Sequence, residues 1–103
     1  MTEKEEIKGE IIRRNSIRDG KEQYTYFLIK RESEISVGLR LSLYSIRVEL
    51  EEEDCEISHC EISNVFVNER KALSFFDRLV RNLATPINLP YAIEDALDCG
   101  LEI

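Results

Sequence analysis

The sequence has few of the residues that build active sites and cofactor sites. It contains one histidine, three cysteines and no tryptophan, and its four glycines stand far apart. A phosphate-binding loop needs clustered glycines, and nucleophilic catalysis needs a nucleophile beside a base. Because neither pattern is present, we predict that the chain is not an enzyme and that it uses no cofactor.

Long apolar runs are also missing. No window approaches the roughly 20 apolar residues of a membrane helix. The first ten residues, MTEKEEIKGE, are charged from the third onward, unlike a signal peptide. An odd number of cysteines without an export signal favours reduced thiols. We therefore expect a cytoplasmic protein without a membrane partner, folded as a single domain over residues 1–103.

Positive charge is scarce in the second half of the chain. Residues 51–103 carry a net charge of −8 and residues 1–50 a net charge of +1, which gives −7 in total. The acidic balance argues against nucleic acid as a partner, because phosphate binding needs clustered cations. The one cationic cluster is Arg13, Arg14, Arg18 and Lys21. It either binds a phosphate or an acidic partner, or protects an edge strand from aggregation, and we favour the second reading.

The first two thirds of the sequence show the alternation of apolar and polar residues that is typical of β-strands. Ile7, Ile11 and Ile12 lie in a charged first strand, which ends at a predicted Asp19-Gly20 hairpin turn. The next predicted elements are a strand at Tyr24–Ile29, a polar break at Arg31–Glu34, a strand at Ile35–Leu50, an acidic loop at Glu51–Glu56 and a strand at Ile57–Val67. Short polar turns between four strands predict an antiparallel meander.

The third predicted strand changes phase midway. Its apolar residues are odd-numbered from Ile35 to Leu43 and even-numbered from Tyr44 to Leu50. A strand keeps one apolar face only if the period of two is maintained. Either a β-bulge near Leu43–Ser45 restores the facing, or the strand runs past the covering helices and buries its other face elsewhere, for example in a partner chain.

The period then changes from two to that of a helix. Ala72, Phe75, Phe76, Leu79, Val80 and Leu83 form one apolar stripe. Asn68 is predicted to cap this helix and Pro86 to stop it. A second short helix is predicted from an Asn88 cap to Gly100, with Leu89, Ala92, Ile93, Ala96 and Leu97 on its apolar side.

Together these patterns predict an α+β fold in which a four-stranded antiparallel meander is followed by two C-terminal helices packed on one face (ββββαα). The predicted core is Phe27, Ile29, Leu39, Leu41, Phe75, Phe76, Leu79, Val80 and Leu83. The other face would then expose Tyr24, Tyr26, Tyr44, Ile46 and Val48, with Leu28 beside them. Such an apolar surface predicts homodimerisation through that face or through an edge strand.

Three further groups of polar side chains are weaker site candidates. Cys55, His59, Cys60 and Cys99 have zinc-ligand chemistry, but consecutive strand residues such as His59 and Cys60 point to opposite faces. The run Glu51–Asp54 lacks the glycine and the alternation of a calcium loop. Glu94 and Asp95 diverge on a helix and form no close dyad. The sequence therefore favours a non-catalytic interaction or regulatory module that self-associates, and the alternative is a metal- or ligand-binding protein that uses Cys55, His59 and Cys60.

The C-terminal segment also carries a family resemblance. Thr85-Pro86-Ile87, Leu89 and Ile93-Glu94-Asp95 resemble the signature of an uncharacterised family of short Gram-positive bacterial proteins, a domain of unknown function. The resemblance implies a small cytosolic strand-then-helix protein with no assigned activity. Asn88 stands where that family's pattern has histidine, and asparagine cannot exchange protons near neutral pH.

Overall fold

The computed structural model describes residues 9–98, without the side chains of Ile35, Leu97 and Asp98. The elements are β1 (Glu10–Asp19), β2 (Glu22–Ser36), β3 (Leu39–Glu51), β4 (Ser58–Phe66), α1 (Glu69–Arg81) and α2 (Leu89–Asp98). The strands form one antiparallel sheet in the order β1-β2-β3-β4. The predicted ββββαα arrangement is therefore confirmed. The expectations for Ile7, Cys99 and Gly100 lie outside the described residues.

Glycines set the start of β1 and both hairpin turns of the first three strands. The β1–β2 turn is Gly20-Lys21, one residue later than predicted, and Gly20 adopts a φ of +63°. Gly9 has a φ of +103°, and a Cβ there would lie 2.9 Å from Ile29 Cγ2 and 2.8 Å from the carbonyl oxygen of Lys30. Only glycine combines this backbone angle with so close an approach.

The predicted polar break at Arg31–Glu34 is wrong. These residues continue β2 to Ser36, and the chain reverses at Val37-Gly38, where Gly38 has a φ of +78°. A polar run interrupts the alternation of apolar and polar residues. The strand itself can continue through the run if the side chains there are exposed to water. All of the described side chains from Glu32 to Ser36 are exposed.

The phase change in β3 is not corrected by a bulge in that strand. The register between β2 and β3 runs without a shift from Gln23↔Glu51 to Glu34↔Arg40. The irregularity belongs to β4, where extra residues lie between the pairs Ile46↔Ile62 and Tyr44↔Phe66. Asn64 within it has a φ of +55°, and its backbone N–H donates to Ser45 Oγ at 2.8 Å. Strand β3 therefore continues past the helices, as the alternative prediction proposed.

Helix α1 begins and ends with side-chain and backbone caps. Asn68 Oδ1 accepts the backbone N–H of Lys71 at 3.0 Å, which confirms the predicted cap. At the other end Leu83 has a φ of +52°, and the backbone N–H of Ala84 returns to the carbonyl oxygen of Leu79 at 3.1 Å. This 6→1 bond closes a Schellman motif, with a leucine in the position that glycine usually occupies.

Asn88 directly precedes α2, as predicted, but the turn before the helix is held by a different side chain. Thr85 Oγ1 accepts the backbone N–H of Asn88 at 3.2 Å, and the carbonyl oxygen of Asn88 accepts the N–H of Ala92 at 2.9 Å. The side-chain acceptor at this turn is therefore Thr85 rather than Asn88.

None of the helices within residues 9–98 is long and apolar enough to span a membrane.

The predicted core contains the correct side of α1 but the wrong side of the sheet. Phe75, Phe76 and Leu79 are buried, and Val80 and Leu83 pack against them. The strand residues that they cover are Tyr24, Tyr26, Leu28, Tyr44, Ile46, Val48, Leu50, Val65 and Phe66. Phe27 and Ile29 are buried as predicted, but they lie on the opposite face of the sheet. Leu39 and Leu41 are 55% and 37% exposed. Both faces of β2 are apolar, so alternation alone did not identify the covered one.

Candidate functional site

The five residues predicted to form an interaction surface lie beneath the helices instead. Tyr24, Tyr26, Tyr44, Ile46 and Val48 are each no more than 5% exposed. The rings of Tyr24 and Tyr26 stack with their centroids 6.5 Å apart and their planes 4° from parallel. These side chains belong to the hydrophobic core and present no surface to a partner in this fold.

Each of these tyrosines directs its hydroxyl group to an acceptor at the margin of the core. Tyr26 Oη donates to the carbonyl oxygen of Ala84 at 2.8 Å, Tyr24 Oη to Glu22 at 2.6 Å and Tyr44 Oη to Glu69 at 3.2 Å. Burial raises the pKa of Tyr26 to about 12. The hydrogen bond to Glu22, with burial, raises the pKa of Tyr24 to about 12. All three tyrosines therefore act as neutral donors that join the core to its surroundings.

The predicted metal ligands do not converge. In β4, His59 pairs with Glu49 and Cys60 with Val48, so the two side chains lie on opposite faces of the sheet. Cys55 is exposed in the β3–β4 loop, and burial raises the pKa of the Cys60 thiol. Within residues 9–98 no three His, Cys, Asp or Glu side chains are placed to hold a metal ion. Cys99 lies outside that range.

The acidic run and the tip of the basic hairpin meet at one end of the sheet. A cavity of about 430 Å³ is lined by Arg18, Lys21, Gln23 and the run Glu51–Asp54. Lys21 Nζ lies 3.5 Å from Glu53 Oε2, and both side chains are largely exposed. The four carboxylates outnumber the two cations, which disfavours a phosphate, and among the described residues the carboxylates are not placed to hold a metal ion. Because the strands are antiparallel, the β1–β2 turn and the β3–β4 loop lie at the same end of the sheet.

The face away from the helices carries a charged network in place of the predicted apolar surface. Arg47, whose side chain is 7% exposed, lies 2.8 Å from Glu49 and 3.6 Å from Glu61. Arg31 lies 3.3 Å from the same Glu61. Between β1 and β2, the guanidinium carbon of Arg14 lies 5.8 Å from the centroid of the Phe27 ring. These contacts hold the arginines to the sheet and give them a structural role.

The two helices form a shallow groove between them. It has a volume of about 300 Å³, and its lining includes Phe75, Arg78, Tyr91 and Asp95. Asp95 lies on one side of this groove, and Glu94, its neighbour, is exposed to solvent. The groove holds one cation and one carboxylate but no nucleophile–base pair, so it carries no arrangement typical of catalysis.

The most distinctive surface is the far end of the β2–β3 hairpin, residues 31–43, which we call the arm. β1 pairs with β2 only as far as Lys30, and β4 pairs with β3 only as far as Tyr44. Beyond these points the hairpin has no further strand beside it among residues 9–98. Val37 at the tip is fully exposed, and Leu39 and Leu41 are exposed on one face.

The sequence prediction missed these leucines as surface residues, although a signal for them was present. Leu39, Leu41 and Leu43 have the opposite phase to Tyr44–Leu50. An uninterrupted strand converts that change of phase into a change of face. The leucines therefore lie on the side of the sheet away from the helices, at a distance from the core.

Comparison with known proteins places the chain in a family. The model of a family of unknown function, DUF6514, matches residues 7–99. The match includes all four strands as well as the C-terminal segment that suggested a resemblance. No match was found among the curated proteins or among the solved structures. The chain belongs to DUF6514, a family of unknown function.

Proposed function

We propose that this chain is a non-catalytic cytoplasmic interaction module that works by presenting its arm to another protein chain. The observation that carries the proposal is the exposure of Leu39 and Leu41 on a two-stranded ribbon that extends beyond the body of the fold. A hairpin alone is at best marginally stable in water. Exposed strand edges with apolar side chains are typical sites for the addition of a further strand.

The other features of the described residues support an interaction role over a chemical one. The buried tyrosine hydroxyls and the buried guanidinium of Arg47 all have partners that hold the fold together. The alternative hypothesis of a metal site needs Cys55, His59 and Cys60 to converge. His59 and Cys60 lie on opposite faces of the sheet, and Cys55 is exposed in the β3–β4 loop. Among residues 9–98, the exposed leucines of the arm are not covered by another strand or by the helices.

A capture experiment in a Gram-positive host, the origin that the C-terminal resemblance implies, tests this proposal. The bait is the full chain, compared with the double variant Leu39→Ser/Leu41→Ser. Ile87→Ser is the matched control, because Ile87 is 79% exposed but lies between the helices. We expect the chains retained by the bait, its own copies included, to fall by about tenfold or more with the arm variant and to be unchanged with the control.

An identical set of captured proteins for the bait and the arm variant would contradict the proposal. Thermal unfolding of all three baits checks that each is folded. Since the substituted leucines are already exposed, their midpoints should agree closely.

A further inference from the structure

We infer that the partner of the arm is a second copy of this chain, added edge to edge along residues Leu39–Leu43 of β3. This inference deepens the proposed function and rests on it. It follows from the edges that the sheet exposes, from the distribution of charge and from the register in which this segment can pair with itself.

The edges of the sheet differ in how well they are protected from pairing. β1 carries arginines along its length, and β4 is interrupted by its irregularity at Asn64. The outer edge of β2 in the arm carries Glu32 and Glu34. Charges and bulges are the usual protection of natural edge strands. The outer edge of β3 in the arm, Leu-Arg-Leu-Ser-Leu, is regular and has one charge.

Charge also favours the arm over the rest of the molecule as a site of self-association. The whole chain has a net charge of −7, so most pairs of surfaces repel each other. Residues 31–43 contain Arg31 and Arg40 against Glu32 and Glu34, and are neutral. Two arms can therefore meet without net repulsion between them.

One antiparallel register satisfies every position of the segment. If Leu41 lies opposite Leu41 of the other copy, Leu39 lies opposite Leu43 and Arg40 lies opposite Ser42. All leucines then share one face, as strand alternation requires. A shift by one pair toward the tip would place Arg40 opposite its own copy, and like charges directly opposite are destabilising. A shift the other way would place Arg40 opposite Tyr44, which already pairs with Phe66 of β4.

The same register places acceptors near Arg40. Within one chain Glu34 pairs with Arg40 and Glu32 with Ser42, and Arg40 Nη1 lies 3.5 Å from Glu32 Oε2. In the dimer, four neighbouring side chains then form a row across the two-fold axis. They are Glu34 and Arg40 of one copy, followed by Ser42 and Glu32 of the second copy. The small serine leaves room for the guanidinium between two carboxylates. Self-pairing of the β2 edge would instead bring Glu32 opposite Glu34 and is disfavoured.

Sedimentation and disulfide trapping test this inference together. Sedimentation equilibrium from about 1 to 100 μM should show a monomer–dimer equilibrium for the natural chain. Leu39→Ser/Leu41→Ser should remain folded and monomeric over this range, whereas Ile87→Ser should dimerise like the natural chain. A monomer at all concentrations, or a dimer that the arm variant leaves unchanged, would overturn the inference.

Trapping then tests the register, in a background where the three native cysteines are replaced by alanine. Leu41→Cys should form a disulfide-linked dimer at least roughly tenfold faster than Arg40→Cys, because only position 41 faces its own copy within disulfide distance. Equal rates, or faster trapping at position 40, would contradict the register. If the chain is monomeric while the arm still captures a different protein, this inference fails and the proposed function stands.

Discussion

Apolar and polar residues alternate in both halves of β3, but in opposite phase and in different surroundings. Between Tyr44 and Leu50 the even-numbered side chains are buried beneath the helices, and β2 and β4 lie on either side. Between Leu39 and Leu43 the apolar side chains are odd-numbered, and β2 is the one strand beside them in the described chain. We call the sheet outside residues 31–43, with the two helices that cover it, the body, and we keep the name arm for residues 31–43. The comparison shows that a change of phase can mark the boundary between a core and a docking surface.

The largest expected difference between the regions concerns equivalent aliphatic truncations. Ile46→Ala removes a fully buried side chain from the body and should lower the free energy of unfolding by about 2–5 kcal/mol. Leu41→Ala in the arm should change it by no more than about 0.5 kcal/mol in dilute solution. Urea denaturation at low protein concentration measures both. Similar losses for the two variants would show that the arm is part of the cooperative core.

Glycines offer a second contrast. Gly9→Ala introduces a Cβ that would lie 2.7 Å from Arg31 Cγ and close to Ile29 and Lys30, so it should cost about 1–3 kcal/mol. Gly38→Ala at the arm tip meets no atom within 4 Å and carries only the cost of a positive φ, about 1 kcal/mol. Thermal unfolding of the two variants checks the order. A larger loss at Gly38 would mean that the tip is more constrained than the start of β1.

The hydroxyl group of Tyr26 belongs to the body, and its removal should be measurable. Tyr26→Phe leaves the carbonyl oxygen of Ala84 without its 2.8 Å donor and should cost about 1–2 kcal/mol. Tyr91→Phe is the matched control, because Tyr91 is 66% exposed on α2.

The same pair of variants tests the pH dependence of stability. The pKa of Tyr26 is about 12 in the folded chain and about 10 in an unfolded one. Its contribution is therefore complete below pH 10 and is lost as the pH rises toward 12. Tyr26→Phe should reduce the loss of stability over this interval, and Tyr91→Phe should not. Identical alkaline unfolding profiles for the two variants would contradict the assignment.

The smallest expected effects compare ion pairs. Glu61→Gln weakens a carboxylate that contacts both Arg31 and the buried Arg47, and should cost about 1–2 kcal/mol. Glu32→Gln breaks the exposed 3.5 Å pair with Arg40 in the arm and should change stability by less than about 0.5 kcal/mol. Denaturation at low and moderate salt measures both. An equal salt dependence would show that the ion pairs of Glu61 are screened by salt as freely as the exposed Glu32–Arg40 pair.

The order of elements could be predicted because the local signals were strong. The period changes near Asn68, that residue caps α1 as expected, and four alternating segments give four strands. The covered face of the sheet could not be predicted in the same way. Tyr24 and Tyr26 compete with Phe27 and Ile29, and the hydroxyl group of Tyr26 finds its acceptor at Ala84, 58 residues further along the chain. Such a partner becomes a neighbour only in the folded chain.

The candidate surface was partly visible in the sequence. The phase change at Leu43–Tyr44 offered two explanations, and the unbroken register with β2 supports the continuing strand. The polar run Arg31–Glu34 suggested a break in the strand. A strand whose two faces are both in water also has a polar sequence, and the local pattern does not distinguish the two cases. The length of the arm depends on where β1 and β4 stop, at Lys30 and Tyr44, which is a property of the whole sheet.

Hydrogen–deuterium exchange tests the division between arm and body most directly. In dilute solution, amides of residues 31–43 should exchange through local opening, faster than amides of Tyr24–Lys30 and Tyr44–Leu50, which need opening of the body. Raising the protein concentration should slow exchange in the arm alone. If the arm and the body exchange at the same rate in dilute solution, the two halves of β3 form one cooperative unit and the account is contradicted.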